Sequence, residues 1–288
     1  MRYIIIDFEW NGTVSRITKE YFNELIELGG VKLDDDLKVI DSFRCLIRPN
    51  HHKKLTGRVK RLTNITNDDV KAGKGFVAAF SDFEKWVGDG ENCFMSWGTG
   101  DILVLMENLK YYGMTDRLSV MKNYCDAQVL CQQALDIDNG QQPGLSLVAQ
   151  KLGISCDDMD MHRALDDSVV TAKCISAVWN RELFDSLVYR ADDSFYDRIT
   201  FKQCTISDMN NPLLENVSYK TKCPDCGRFM KRKTKLRSKN HSICADYVCS
   251  MCGKQFFVRH TFRLKYEGVT HKVSVKEKQA PEQESENQ

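Results

Sequence analysis

The chain has 288 residues, 42% of them hydrophobic and 28% charged, with 41 Lys+Arg against 40 Asp+Glu. That length fits about two domains and that composition is globular, which excludes wholesale disorder. A spanning helix needs about 18 consecutive apolar residues, and the longest apolar runs here are a handful, which excludes a membrane protein.

The near-neutral total hides an asymmetry. Residues 220–288 hold 16 Lys+Arg and 7 Asp+Glu, while residues 1–219 hold 25 and 33. A basic segment beside an acidic domain predicts a polyanionic partner, most simply nucleic acid, with a solvated basic face as the plainer alternative. Twelve cysteines are present, seven scattered singly from Cys45 to Cys204 and five between Cys223 and Cys252. In a reducing compartment such a cluster reads as a metal site rather than a set of disulfides.

The N-terminus, MRYIIIDFEW, has acids straight after its apolar run and no small-residue cleavage site. It does not read as a signal peptide, so a cytoplasmic protein is expected. Tyr3–Glu9 reads as a buried strand, and Asn23–Leu33 and Lys38–Ile47 as two further strands of a meander. Pro49–Arg61 reads as a basic loop. Asn67–Trp86 reads as a helix, with Phe76, Phe80, Phe83 and Val87 at helical spacing. Cys93–Trp97 is a short strand, and Asp101–Tyr112 a helix stopped by Gly113. Asn123–Leu135, Leu145–Leu152 and Arg163–Trp179 read as helices. Strands first, then strands among helices, predict an α/β fold over the first 180 residues. Residues 183–219 give no clear pattern beyond aromatics that need a packing partner.

Side chains alternate along a strand, so Asp7 and Glu9 point the same way. Two carboxylates side by side repel unless a cation lies between them; two solvated acids on a sheet edge is the plainer reading. Asp101 opens a helix, where an Asp is ordinarily a cap or dipole partner. His162 sits just before the late helix and Asp167 in its second turn, with Ala164, Ser168 and Thr171 small enough for close packing. Asp166 adjoins Asp167, but neighbours on a helix point about 100° apart, so one of the two serves a given site. The acids Asp157, Asp158 and Asp160 upstream read as a charged loop.

The ordered set IIIDFEW, SWGTGD and HRALDD, with LTNIT at Leu62–Thr66, resembles the DEDDh (DnaQ-like) superfamily of 3′–5′ exonucleases over roughly residues 1–180. The DFE start and the length resemble its short-RNA and histone-mRNA 3′-exonuclease subgroup more than the polymerase proofreaders. The resemblance implies a ribonuclease-H-like mixed sheet flanked by helices. It implies Asp7, Glu9, Asp101 and Asp167 as metal-binding carboxylates and His162 as general base. Oxygen ligands suit two Mg²⁺ or Mn²⁺ ions, which can serve an in-line attack on phosphorus. Imidazole accepts a proton near neutral pH. Phe8 and Trp10 flank the ligands as candidate base contacts; core packing is the plainer reading for Phe8 and an equal one for Trp10.

KCPDCG and VCSMCGK place Cys223 and Cys226 against Cys249 and Cys252, with 22 residues between the pairs. This is the spacing of a tetrahedral Cys₄ zinc ribbon, predicted to hold one structural Zn²⁺ because four thiolates leave no open position, with an iron centre or a redox dithiol as the lesser alternatives. Cys244 is read as a spare buried thiol. Lys231, Arg232, Lys233, Lys235 and Arg237 lie between the knuckles, and Arg259 and Arg263 follow among aromatics. Such interleaving suits single-stranded nucleic acid; a small core for the metal-stapled module is the alternative.

The expected organisation is an exonuclease domain over 1–182, a connecting segment over 183–219, a basic zinc ribbon over 220–275 and a disordered tail over 276–288. The expected function is metal-dependent 3′–5′ hydrolysis of single-stranded nucleic acid, RNA before DNA, releasing nucleoside 5′-monophosphates. A DNA proofreading or repair exonuclease and a non-catalytic nucleic-acid-binding protein on the same scaffold remain alternatives, and the ribbon has a protein partner as its other reading.

Overall fold

A computed structural model describes residues 1–14, 19–138, 142–156 and 162–278. The chain divides into two compact units, Met1–Ile199 and Thr200–Gln288.

In the first unit, β1 (Arg2–Val14), β2 (Tyr21–Leu33) and β3 (Val39–Leu46) form an antiparallel meander. There follow α1 (Gly57–Thr63), α2 (Asn67–Ala72), α3 (Phe76–Val87), β4 (Asn92–Ser96), α4 (Gly100–Tyr111) and β5 (Asn123–Asp126). Then come α5 (Ala127–Ala134), α6 (Leu145–Lys151), α7 (Ala164–Val178), α8 (Arg181–Leu187), β6 (Tyr189–Arg190) and α9 (Asp193–Thr200). The sheet order is β3-β2-β1-β4-β5-β6, with β4 parallel to both β1 and β5. A strand between two helical layers must be apolar on both faces, and β1 is. Ile4, Ile6 and Phe8 join a core with Phe80 and Phe83 of α3 and Leu105 of α4. Tyr3 and Ile5 join one with Leu130 of α5, Ile175 of α7 and Phe184 of α8.

Several local expectations are corrected. The loop expected at Pro49–Arg61 contains α1, capped by the Thr56 side chain. The single helix expected over Asn67–Trp86 is two. The Lys74 backbone is drawn into sheet-like bonds with Leu46 and Arg48, and a Cβ on Gly73 would stand 2.7 Å from the Leu46 carbonyl oxygen. Asn123–Asp126 is a strand rather than the start of a helix. Asp126 is the N-cap of α5, its carboxylate accepting from the Val129 amide at 3.1 Å. The segment expected as a connection is divided: α8, β6 and all of α9 but Thr200 fall in the first unit.

The second unit contains β7 (Cys204–Ile206), a 3-10 turn at Pro212–Leu214, β8 (Lys231–Arg232), β9 (Arg237–Lys239), β10 (Ser242–Val248), β11 (Gln255–Lys265) and β12 (Gly268–Glu277). The order is β12-β11-β10-β8, with β7 on β11 and β9 on β10. One sheet face supplies the core, with Tyr247, Phe256 and Val258 beside the knuckles and Ile243 and Phe262 further along. Lys276 and Glu277, expected in a disordered tail, belong to β12 and pair with Phe257 and Phe256; residues 279–288 lie outside the described residues. Among the described residues no helix is long and apolar enough to cross a membrane.

Candidate active site and metal centre

The alternation of β1 places Asp7 and Glu9 on the face of Tyr3 and Ile5, under α7. From Asp167 in the first turn of α7 comes a third carboxylate, and one oxygen from each of the three lies within 4.8 Å of the others. Asp101 approaches from the opposite layer. The β1–β4 ladder runs from Arg2–Asn92 to the Ile5–Met95 pair. Beyond it the Phe8 amide donates to Asp101 Oδ1 at 2.9 Å, holding the start of α4 against the strand. Asp101 and Asp167 are 5% and 7% exposed, and Asp7 and Glu9 are half-buried.

Burial, followed by Asp101, Asp167, Glu9 and Glu27, raises Asp7 well above the usual carboxylate range. Burial, then Asp167, Glu27 and Asp101, pushes Glu9 up to about 8. Burial also raises Asp101 to about 7 against the pull of its backbone hydrogen bonds. Asp167 is raised by burial and partly relieved by His162. Asp167 Oδ2 accepts from the His162 amide at 3.2 Å, while its Oδ1 is buried with no hydrogen-bond partner. Crowded oxygen donors with an orphaned buried atom fit a hard divalent cation. His162 itself is exposed and holds a left-handed φ of 69°, a conformation uncommon outside glycine and frequent at functional turns. Asp157, Asp158 and Asp160 lie outside the described residues.

What fixes α7 is a residue the sequence reading missed. Glu27 of β2 is fully buried and lies directly across from Glu9. It accepts from the Ala164 amide at 3.1 Å and from Arg163 Nη2 at 2.9 Å, and Arg44 Nε reaches it at 2.7 Å. Arg163 gives α7 no side-chain cap of its own, so Glu27 meets the positive helix end from the sheet. Two residues on, a Cβ at Gly29 would stand 2.3 Å from the Ala164 carbonyl carbon, so only glycine admits this contact. The available signal was a carboxylate inside an apolar central strand followed by Gly-Gly. Nearby, Glu24 is 1% exposed and accepts from the amides of Asn50, His51 and His52 at 2.6–3.1 Å.

Phe8 is corrected as a base contact: it is 2% exposed and packs edge-on against Phe83 at 5.9 Å. Trp10 is partly buried against the same core.

In the second unit the Sγ atoms of Cys223, Cys226, Cys249 and Cys252 lie within 4.8 Å of one another. Cys223 and Cys252 are 3.8 Å apart and Cys226 and Cys249 3.4 Å. Sulfurs about 2.3 Å from a central zinc stand about 3.8 Å apart in a tetrahedron, so the four fit one such ion. The knuckles match: the Gly227 amide bonds the Cys223 carbonyl and the Gly253 amide the Cys249 carbonyl, both at 2.9 Å, with φ of 71° and 72°. Amides of Cys252 and Met251 pull the Cys249 thiol down to about 6, whereas, against the Lys254 amide, burial and the neighbouring thiols push Cys252 up to about 11, so the four sulfurs crowd one another as free thiols and the support for a metal is their geometry. Cys244 is fully buried within β10, outside this group.

A pH dependence follows for the first cluster. Without added divalent cation, Glu9 holds its proton to about pH 8 in the fold, against 4.5 for a free carboxyl. Unfolding therefore releases a proton between those values. Stability falls as pH rises through that window, by about 1.4 kcal/mol per pH unit for each such group. Thermal melts of the full chain from pH 5 to 8 are expected to show a falling Tm, and added Mg²⁺ to flatten the fall. A level or rising Tm without Mg²⁺ would contradict the crowding.

A family model described as Exonuclease matches residues 4–175. Similar to this chain is the probable 3′-5′ exonuclease KapD of Bacillus subtilis, 28% identical over 184 residues, 61% of this chain and 83% of KapD. The PolC-type DNA polymerase III of Staphylococcus haemolyticus is 27% identical over 59% of this chain but only 11% of its own length. Among solved structures, the nuclease domain of 3′hExo bound to rAMP aligns at TM-score 0.54 with 23% identity, covering 61% of this chain and 90% of that one. A 3′-exonuclease solved for 3′-end recognition of a histone mRNA stem-loop aligns at 0.55 with 22% identity, covering 65% of this chain and 64% of that one. Exonuclease I of E. coli with a dT13 oligonucleotide aligns at 0.53 with 14% identity, over 85% of this chain and 54% of its own.

Proposed function

The chain belongs to the exonuclease family and is a 3′–5′ exonuclease; from that premise we propose that its substrate is the 3′ end of single-stranded RNA, released as nucleoside 5′-monophosphates. The observation that carries the catalytic reading is the convergence of Asp7, Glu9 and Asp167 within 4.8 Å, with Asp167 Oδ1 buried and unpartnered. Asp7, Glu9, Asp101 and Asp167 would hold two Mg²⁺ or Mn²⁺ ions. Bound there, divalent cations supply positive charge at the scissile phosphate and make water easier to ionise. The Phe8 amide holds Asp101 facing β1. Glu27 seats the start of α7, which sets Asp167. Asp167 Oδ2 in turn holds the turn that presents the His162 imidazole, the group proposed to take the attacking water's proton. The cysteine cluster would hold one structural Zn²⁺, with no open position for chemistry. The setting proposed is the cytoplasm, a reducing compartment where a four-cysteine cluster holds metal rather than disulfides.

For RNA speak two of the similar structures, one holding rAMP and one solved for histone mRNA recognition. DNA is the second reading, favoured by the likeness to Exonuclease I with dT13 and to a DNA polymerase. The deciding experiment uses 5′-labelled RNA and DNA strands of one sequence with Mg²⁺ or Mn²⁺. The expected result is a ladder shortening from the 3′ end, faster on RNA and lost without divalent cation. A faster DNA ladder reverses the substrate assignment, and no ladder on either strand overturns the catalytic reading.

A further inference from the structure

The strand register sorts the basic residues of the second unit onto faces. Along β11, Phe256, Val258, His260 and Phe262 are buried, while Phe257, Arg259, Thr261, Arg263 and Lys265 point to the other side. The cross-strand partners on that side are Lys276, Ser274, Lys272, Thr270 and Gly268 of β12. Taken pair by pair, the face reads Phe257–Lys276, Arg259–Ser274, Thr261–Lys272, Arg263–Thr270 and Lys265–Gly268. Each of the five pairs carries one cation, and its partner is uncharged.

Successive pairs are two residues apart, so the cations rise along the strands in steps of about 6.7 Å. This step suits an extended polynucleotide, whose phosphates are separated by six backbone bonds. Arg263, Lys265, Lys272 and Lys276 are exposed and Arg259 partly so. None of the five has an ion-pair partner among the described residues. The acid on the same face, Asp246, is already met by Arg237 and Lys278. Lysines on an edge strand can serve to discourage strand addition. That does not account for Arg259 and Arg263, which lie on β11 between β10 and β12. Regular spacing, single sign and small hydroxyl neighbours match a row of phosphates.

We propose that the β11–β12 face is a track for single-stranded nucleic acid, taking one phosphate per cross-strand pair over about five nucleotides. This deepens the proposed function and rests on its reading of a polynucleotide substrate. Arg259 and Arg263 of the sequence expectation belong to the track, joined by Lys265, Lys272 and Lys276. Arg232 pairs with Tyr247 on the opposite, core-bearing side, and Lys233 and Lys235 lie between strands.

The test is equilibrium binding of fluorescent phosphorothioate strands of 3, 6 and 12 nucleotides to the full chain without added divalent cation, so the strands stay intact whatever the catalytic site does. Affinity is expected to rise steeply from 3 to 6 nucleotides and less beyond. The triple variant Arg259→Ala, Arg263→Ala, Lys272→Ala is expected to bind roughly tenfold or more weakly and to flatten the slope of log K against log salt by about 2, at about 0.7 per phosphate contact. The single variant Arg263→Gln, at an exposed site, should flatten it by about 0.7. Lys220→Ala, Lys222→Ala, Arg232→Ala removes the same charge from the core-bearing side, where Tyr219 packs on His260 and Arg232 pairs with Tyr247, and should change both far less. Equal losses in the two triple variants, no loss in either, or tighter binding of a duplex than of its single strand would each overturn the track. Hydrolysis of an ordinary dinucleotide by the unmodified chain reports the exonuclease reading separately, since failure there leaves the binding result standing.

Discussion

Replacing Asp7 with alanine, or Asp167 with asparagine, is expected to lower the rate of hydrolysis by about 10³ or more while the fold persists. The magnitude follows from position, since residues one layer further from a metal typically cost 10–100-fold and these two would touch it. Both variants remove charge from a crowded, water-poor cluster in which each acid raises its neighbours. Without divalent cation the Asp7→Ala chain should therefore melt at a higher temperature near pH 8 than the unmodified chain. Added Mg²⁺ should stabilise it less. Activity is read on 5′-labelled strands, stability by circular dichroism, and both belong on one preparation. Retained turnover in both variants would refute the assignment of the metal carboxylates. Lost turnover with lost fold would be resolved by Asp7→Asn, which keeps the shape and removes the charge.

The second large effect lies in the cysteine cluster. Changing Cys223 and Cys226 to serine should unfold the knuckle end of the second unit, because a structural zinc contributes folding free energy of about 10 kcal/mol or more in small modules. The apolar residues around the knuckles, chiefly Met230, Tyr247 and Phe256, form too small a core to replace it. Zinc content should fall by about one ion per chain. Binding of strands of six nucleotides or more should weaken strongly, and cleavage of a dinucleotide should change little. Equal losses on both substrates would instead make the ribbon a support of the catalytic unit.

The parts of the site written locally were legible. Asp7 and Glu9 follow strand alternation, His162 and Asp167 lie five apart at one helix start, and each cysteine pair makes its own turn. The parts that depend on distant strands were not. Glu27 is one acid in an apolar run until β2 brings it under residue 164, 137 positions away. Gly29 shows its purpose only through the backbone pressed against it. The basic residues were visible as a composition, but their division between two faces needed the β11–β12 register. Phe8 stood open between base contact and the favoured core packing, because alternation tells that it opposes Asp7, not that α3 covers it. Asn123–Asp126 was read as helix because four apolar and polar residues leading into a true helix carry no period of their own.

The long reach from β1 to α7 also has a consequence in time. Asp167 leaves the ribosome 160 positions after Asp7. At roughly 5–20 residues per second of synthesis, that delay is about 10–30 s. Throughout it the nascent chain holds half a catalytic centre: Asp7 and Glu9 have no helix above them and Glu27 has nothing to cap. The exonuclease is thus made without a complete centre until α7 emerges. A chain arrested before residue 163 should bind no catalytic ion and cut nothing, however well its meander has folded.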